Sequence, residues 1–356
     1  MKISLAMIVK NEEKYIERCI NSVEDLVDEI VIVDTGSTDR TIDILRKYPN
    51  VHLYNFEWSD DFSAARNFSI EKTKGDYVLV LDADEYITEG SRDELELVMN
   101  QNYIGRLLIH SPFQKDQQTY ESKEYVSRFF PREVSYTGVI HEQLNSDRPR
   151  VKININVKHD GYFNKNKGER NIPLLLREVK KNPSNSYYLF QLGKELRINK
   201  QYKEAFSFLN KAYVQIIKNS PYYNELVVEL INSGKECSKE EVLEIIKQND
   251  TLLKNIPDFH FAKGLFYLDY CLRCPEEAAN YIPLIEKSFL ECLVLNERPD
   301  LEIVKGTSSF MAAYNLGVFY EVTGQLNKAL PYYKYSCEKG YNPAEQRFKK
   351  LSKLNQ

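Results

Sequence analysis

The sequence predicts an α/β domain built on a mainly parallel sheet, followed by an all-helical domain. Three observations carry this. Short apolar, β-favouring runs alternate with helical patterns from Ile3 to Leu81, which is the β-α-β-α order of a doubly wound sheet. From Gly168 onward strand signals stop and helical periodicity takes over. The 356-residue length suits roughly two domains with ample core. The expected division is 1–165 and 166–356.

Taken in order, Ile3–Val9 reads as the first strand, after which Asn11 is expected to cap a helix with Ile16, Cys19, Ile20 and Val23 on one face. Glu29–Asp34 is a second strand ending in an aspartate. The turn Thr35–Asp39 leads to a helix carrying Ile42 and Leu45. Val51–Phe56 is a third strand, and the polar and aromatic loop Glu57–Phe62 precedes a helix over Ser63–Thr73. Gly75 and Asp76 turn the chain into Tyr77–Glu85, YVLVLDADE. Its run Val78–Leu81 has the character of a strand buried on both faces. Ser91 and Glu94 have capping-box spacing before a helix over Arg92–Met99. Gly105–Ser111, Val126–Pro131 and Val151–Lys158 complete the strands.

Composition excludes several classes. With 48 basic and 52 acidic residues the net charge is −4, so the basic face of a general nucleic-acid binder is not expected. No apolar run approaches the roughly 20 residues of a membrane span, and MKISLAMIVKNEE turns polar too early for a secretory signal. A cytoplasmic location is the resulting expectation. The six cysteines are scattered and form no disulfide framework. Cys271 and Cys274 have metal or redox spacing, but without a second pair they read as ordinary helix cysteines. No Gly-x-Gly-x-x-Gly follows the first strand and no Gly-Lys-Ser/Thr loop is present, which argues against dinucleotide and P-loop sites.

Three strands end in acidic or polar clusters on one sheet edge: Lys10, Asn11 and Glu12 after the first, Asp34 and Asp39 after the second, Asp82 and Asp84 after the fourth. In open α/β sheets that edge binds ligands. Each cluster alone has a bland explanation as a turn or a helix cap. Together they crowd negative charge, which repels unless a cation or hydrogen-bond donors join it. Two aspartates flanking one small residue can share Mg²⁺ or Mn²⁺, which prefer oxygen ligands. A nucleotide base would supply donors to the remaining carboxylates.

The phrases IVKNEEKYIERCINS, IVIVDTGSTDRT, DFSAARNFSI and GDYVLVLDADE, in that order, resemble the family 2 glycosyltransferases with the GT-A fold. The resemblance is dense over residues 1–100 and looser to about 165. It implies a sugar-nucleotide donor, and because carboxylates can accept from the uracil N–H and the two ribose hydroxyls, a UDP-sugar is the expectation. In its terms Asn11, Glu12, Asp34 and Asp39 line the base and ribose, and Arg66 approaches the nucleotide. Asp84 holds the metal, Asp82 lies near ribose or metal, and His159 closes the metal shell. Tyr136–Gln143 places a His-Glu pair after a glycine turn. There a general base is needed to take the acceptor's proton as it attacks the anomeric carbon. Glu142 is the first choice and His141 its rival.

In the second half, Leu192-Gly193 precedes Ala205, Leu209 and Ala212, and Leu316-Gly317 precedes Ala329 and Tyr333. This spacing is that of tetratricopeptide repeats, where small residues let paired helices close up. Phe261–Phe289 reads as a degenerate pair between them. Such repeats stack into a curved solenoid whose groove commonly holds a peptide or another subunit, so a peptide or protein acceptor and a homodimer through this domain are both expectations. The combination, with the phrases GVIHEQL and GKELRINKQYKEA, resembles bacterial transferases that glycosylate bacteriocin peptides on Cys or Ser. A transferase acting on cell-surface polysaccharide is one alternative. A non-catalytic repeat scaffold with a relic enzyme domain is another. Nucleotidyl transfer would need a glycine-rich basic loop where Lys-Asn-Glu-Glu stands.

Overall fold

The computed structural model describes residues 1–115, 118–160, 167–297 and 304–354. The chain divides into two compact units, Met1–Lys167 and Gly168–Gln356. The expected boundary at 165 lies outside the described residues.

The first unit runs β1 (Ile3–Val9), α1 (Ile16–Val23), β2 (Glu29–Asp34), α2 (Thr41–Leu45), β3 (Val51–Asn55), α3 (Phe62–Glu71) and β4 (Tyr77–Val80), then β5 (Glu85–Glu89), α4 (Arg92–Asn100), β6 (Ile104–Lys115), β7 (Gln118–Pro131), β8 (Tyr136–Thr137), β9 (Gln143–Leu144) and β10 (Arg150–His159). Eight strands form one sheet in the order β3-β2-β1-β4-β7-β6-β10-β5, and β8 pairs with β9 separately. The β3-β2-β1-β4 half is parallel throughout. Strand β7 joins antiparallel to both β4 and β6, and β10 runs parallel to β6. Chain order reverses between β1 and β4, and a ligand crevice forms at such a point.

Period-two alternation sorts the side chains of β1. Ile3, Leu5, Met7 and Val9 pack with Ile16, Cys19, Ile20 and Val23 of α1, Leu45 of α2, and Leu95, Val98 and Met99 of α4. Ala6 faces the other way, into a cluster with Ile70 of α3, Val78, Val80, Phe130 and Tyr136. Both sheet faces are therefore covered, which is why these strands read as continuous apolar runs.

Two details depart from the sequence reading. Asn11 does not cap α1: the helix begins at Ile16 after Tyr15, with no side-chain cap, and Asn11 adopts a left-handed backbone, φ 59°, so it serves a loop. Ser91 stands at the N-cap of α4, but its hydroxyl makes no capping bond. The run expected over Val78–Leu81 forms β4, Tyr77–Val80, and Glu85 then opens β5, which returns antiparallel to β10.

The second unit is helical: α5 (Gly168–Lys181), α6 (Ser186–Ile198), α7 (Tyr202–Gln215), α8 (Tyr223–Glu236), α9 (Glu241–Asn249), α10 (Pro257–Arg273), α11 (Ala278–Leu295), α12 (Phe310–Val322), α13 (Leu326–Glu338) and α14 (Asn342–Leu354). Sequential neighbours pack in pairs, α6 with α7, α10 with α11 and α12 with α13. A glycine on the first helix of each pair lies under a large residue of the second. Gly193 meets Leu209, and Gly317 meets the ring of Tyr333. Gly264 under Phe289 repeats the device in the degenerate pair. Cys271 lies within α10 and Cys274 at its C-cap, and all six cysteines are free. Among the described residues no helix is long and apolar enough to cross a membrane.

A Cβ at position 193 would lie 2.5 Å from Leu209 Cγ. Gly193→Ala should therefore destabilise the helical unit by about 1–3 kcal/mol, read as a lower urea midpoint. Leu209→Ala added to it should cost less than the sum of the two single changes, because the clash is removed.

Candidate active site

Three groups of side chains meet at the carboxyl edge of the sheet. The first lies at the ends of β1 and β2, where two loops are zipped together. Thr35 N–H and hydroxyl donate to Val9 C=O at 2.9 and 3.0 Å. Asn11 Oδ1 accepts from Thr38 N–H at 2.7 Å, and Asn11 N–H donates to Ser37 Oγ at 3.0 Å. Glu12 N–H donates to Thr41 Oγ1 at 2.8 Å, and Glu13 N–H to Asp39 Oδ2 at 3.2 Å. The Asp34 carboxylate is buried and folds over its own turn, accepting Gly36 N–H at 3.0 Å and Ser37 N–H at 3.1 Å. Asp39 Oδ1 accepts both the N–H and hydroxyl of Thr41. Burial alone would raise the Asp39 carboxyl, but these donors outweigh it and hold it below its ordinary value. The structure thus brings Asn11, Glu12, Asp34 and Asp39 together, with backbone donors already fixing the aspartates.

The second group is a ladder of alternating charge. Arg66, on α3, reaches Asp82 Oδ1 with Nη2 at 2.7 Å and pairs with Glu142 through Nε. Arg128, on β7, holds Asp82 Oδ2 at 2.8 Å and Glu85 Oε1 at 2.9 Å through Nη2. Glu85 closes the turn by accepting Asp82 N–H at 2.9 Å. Glu85, Arg66, Glu142 and Arg128 are largely buried, while the Asp82 side chain is 34% exposed. Burial tends to raise the Asp82 carboxyl, yet the two guanidiniums prevail and hold it well below the usual carboxylate range. For Glu85 burial wins over Arg128, and its pKa is raised. Asp82 is therefore occupied on both oxygens by arginines.

The Ala-Arg-Asn segment also shapes the loop that carries the His-Glu pair. Asn67 Nδ2 donates to Tyr136 C=O at 2.9 Å, and Tyr136 N–H donates to Asn67 Oδ1 at 2.8 Å. Phe62 N–H donates to Val139 C=O at 2.9 Å. The β8–β9 hairpin is thereby fastened to α3, and its connection turns at Gly138 (φ 95°) and at left-handed His141 (φ 48°). Glu142 follows directly and meets Arg66.

The third group pairs Asp84 with His159. His159 Nε2 lies 3.4 Å from Asp84 Oδ2, and Ser111 Oγ lies 3.3 Å from His159 Nδ1. Asp160 N–H donates to Asp84 C=O at 3.0 Å, joining the end of β10 to the Asp-Ala-Asp turn. Among the described residues no three His, Cys, Asp or Glu side chains converge as a ready-made metal cage. The expected trio of Asp82, Asp84 and His159 is not assembled, because Asp82 is turned to the arginines. Asp84 and His159, nearly buried and in contact, fit a divalent ion as two of its ligands. Substrate phosphate oxygens and water ordinarily supply the others.

Sequence reasoning missed Arg128, Glu85 and Ser111. Arg128 did leave a signal: a lone arginine within the apolar run VSRFFP must find a carboxylate if the strand is buried. Glu85 and Ser111 left none.

Residues 4–125 match the model of Glycosyl transferase family 2. The chain is 30% identical over 236 residues to the SPbeta prophage-derived glycosyltransferase SunS of Bacillus subtilis (strain 168), covering 63% of this chain and 55% of that protein. It is 45% identical over 100 residues to a TPR repeat-containing protein of Synechococcus elongatus, covering 28% of this chain and 25% of that one. The chain spans about half the length or less of these curated relatives. The S. aureus TarS 1–349 structure aligns over 92% of this chain and 89% of its own, at 14% identity and a TM-score of 0.35, too low to establish likeness.

Arg128→Met should destabilise the first unit by about 3–5 kcal/mol, since it strands buried carboxylates. Glu85→Gln in that background should recover part of the loss, measured by denaturant titration. His159 gives a pH test. Burial lowers its pKa, but the hydrogen bond and charge of Asp84 prevail and raise it above the ordinary 6.5. A raised folded pKa means that the pairing contributes its full stability below pH 6.5 and loses it as pH rises through the folded value. An NMR titration of the His159 ring should show a midpoint above 6.5, and Asp84→Asn should lower it.

Proposed function

We infer that this chain, a family 2 glycosyltransferase domain followed by tetratricopeptide-like helical pairs, moves a sugar from a UDP-sugar to an acceptor in a metal-dependent, inverting reaction. The observation that carries the reading is the meeting of the Asp34 and Asp39 carboxylates, at the end of β2 and in the loop after it, with the Asp84–His159 pair at one sheet edge. Asp34 and Asp39 would accept from the uracil N–H and the ribose hydroxyls. Asp34 Oδ1 and Asp39 Oδ2 each accept one donor from the loops, which leaves each carboxylate acceptor capacity on that oxygen. Asn11 and Glu12 complete that rim. Asp84 and His159 would hold Mg²⁺ or Mn²⁺, which when bound offsets the charge of the leaving diphosphate.

The chain's own residues do the rest. Glu142, oriented by its ion pair with Arg66, takes the proton of the acceptor hydroxyl or thiol. His141 beside it is the rival for that role. The acceptor atom bonds to the anomeric carbon, the bond from that carbon to the β-phosphate oxygen breaks, and UDP leaves from the opposite face. One displacement inverts the carbon. Arg66 ties the base to Asp82, so proton acceptor and diphosphate end share one rigid frame. The helical pairs would hold the acceptor, for which a peptide Cys or Ser side chain is the proposal.

A thermal-shift panel tests the donor. UDP and UDP-sugars in excess, with Mn²⁺, should raise Tm by several degrees, because ligand at 100 times Kd stabilises by about 2.7 kcal/mol. Adenosine nucleotides should not. Asp84→Ala should abolish the Mn²⁺-linked part of the shift, read against the variant's own ligand-free Tm. If no nucleotide moves Tm, the scaffold reading gains. An adenosine preference would count against the roles given to Asp34 and Asp39. Glu142→Gln should bind donor as wild type does while UDP release in the presence of acceptor falls by roughly 10²–10⁴. Loss on His141→Gln alone would transfer the role to His141.

A further inference from the structure

We propose that Trp58 is the platform on which the donor's nucleobase stacks. The inference rests on the donor reading above and names a residue for it. Trp58 is the single tryptophan of the chain and lies in the connection from β3 to α3, on the carboxyl edge of the sheet. It is half-buried yet held in place. Its Nε1–H donates to Asp60 Oδ1 at 2.9 Å. Its ring meets Phe62 at 4.7 Å between centroids, with planes at 69°, an edge-to-face geometry that fixes both rings. Asp60 adopts a left-handed backbone, φ 58°, a conformation that costs energy for a residue with a Cβ, and such cost concentrates at functional positions.

Both ends of the connection are bonded to the candidate site. On one side Phe56 N–H donates to Asp34 C=O at 2.9 Å, two residues before Trp58. On the other Phe62 N–H donates to Val139 C=O, three residues before Glu142. Phe62 also lies one helical turn before Arg66, on the same face of α3. The indole is thus a preorganised aromatic surface in a connection that is bonded at its start to the residue that would read the base edge. Hydrogen bonds accepted by Asp34 fix a pyrimidine only in its plane. A ring packed on its face supplies the missing dimension, and base–aromatic stacking is worth enough to change affinity severalfold to a hundredfold. The indole N–H is already used by Asp60, which suits a stacking role rather than edge recognition.

A single tryptophan makes the test direct. Indole emission of the full chain is followed while UMP and UDP are added, with calorimetry in parallel. Emission should quench saturably with both ligands, at midpoints equal to the calorimetric Kd. Trp58→Ala should weaken UMP and UDP alike by about tenfold, equivalent to about 1.4 kcal/mol, and Trp58→Phe should keep most of the affinity. Binding by calorimetry with unchanged emission, and equal Kd in Trp58→Ala, would overturn the stacking role while leaving the donor reading intact. Weakening confined to UDP-sugars would overturn it too, assigning the ring to the sugar. No binding of any uridine nucleotide by wild type would bring down the donor reading and this inference together. Should Trp58→Ala fail to fold, the wild-type quench and the Trp58→Phe affinity still decide.

Discussion

Buried carboxylates need counter-charge, and the first unit is arranged around meeting that need. Glu85, Asp82 and Glu142 come from two distant stretches, and Arg128 and Arg66 stand between them as rungs. Bringing these groups out of water costs several kcal/mol per ion, and only well-aimed partners return it. The ladder therefore fixes more than itself. It sets where α3 lies against β4, where β7 enters the sheet and where the Tyr136–Glu142 hairpin sits. Removing one rung would leave its neighbours buried without a partner.

The ladder also divides labour between two aspartates separated by one alanine. Asp82 is consumed by guanidiniums and acts as a structural hub. Asp84, on the same turn, meets His159 at the end of β10. Two residues that look alike in sequence thus take different work because neighbouring strands present different partners: arginine from β7 and α3 on one side, histidine from β10 on the other. The rim at β1 and β2 is built differently, by backbone donors and short polar side chains that zip two loops. Backbone donors leave carboxylate oxygens with acceptor capacity, whereas an arginine fork occupies them from both sides.

The helical unit obeys a simpler rule of close approach. Glycine on the first helix of a pair accepts Leu209, Phe289 or Tyr333 from the second. Burial of such side chains is the main stabilising term available to short helices, whose isolated stability is marginal. The match to the family 2 model covers residues 4–125 and does not extend into the helical unit.

Local residue order determined a good deal. β1 and β2 lie where their apolar runs end, and Asp34, Asp82 and Asp84 reach the expected edge because strand ends in a parallel sheet share one side. The Leu-Gly spacing foretold the helix pairs, since close packing demands a small residue at a fixed period. What sequence could not supply was partner choice across the sheet. That Arg128 takes Asp82, that Glu142 meets Arg66 and that EYITE becomes an edge strand on β10 all depend on β7 inserting antiparallel between β4 and β6. Local patterns specify which face a residue takes and where a strand ends. Only the folded chain, by setting strand order, decides which charges become neighbours, because an ion pair between residues 46 or 76 positions apart leaves no periodic trace in the chain.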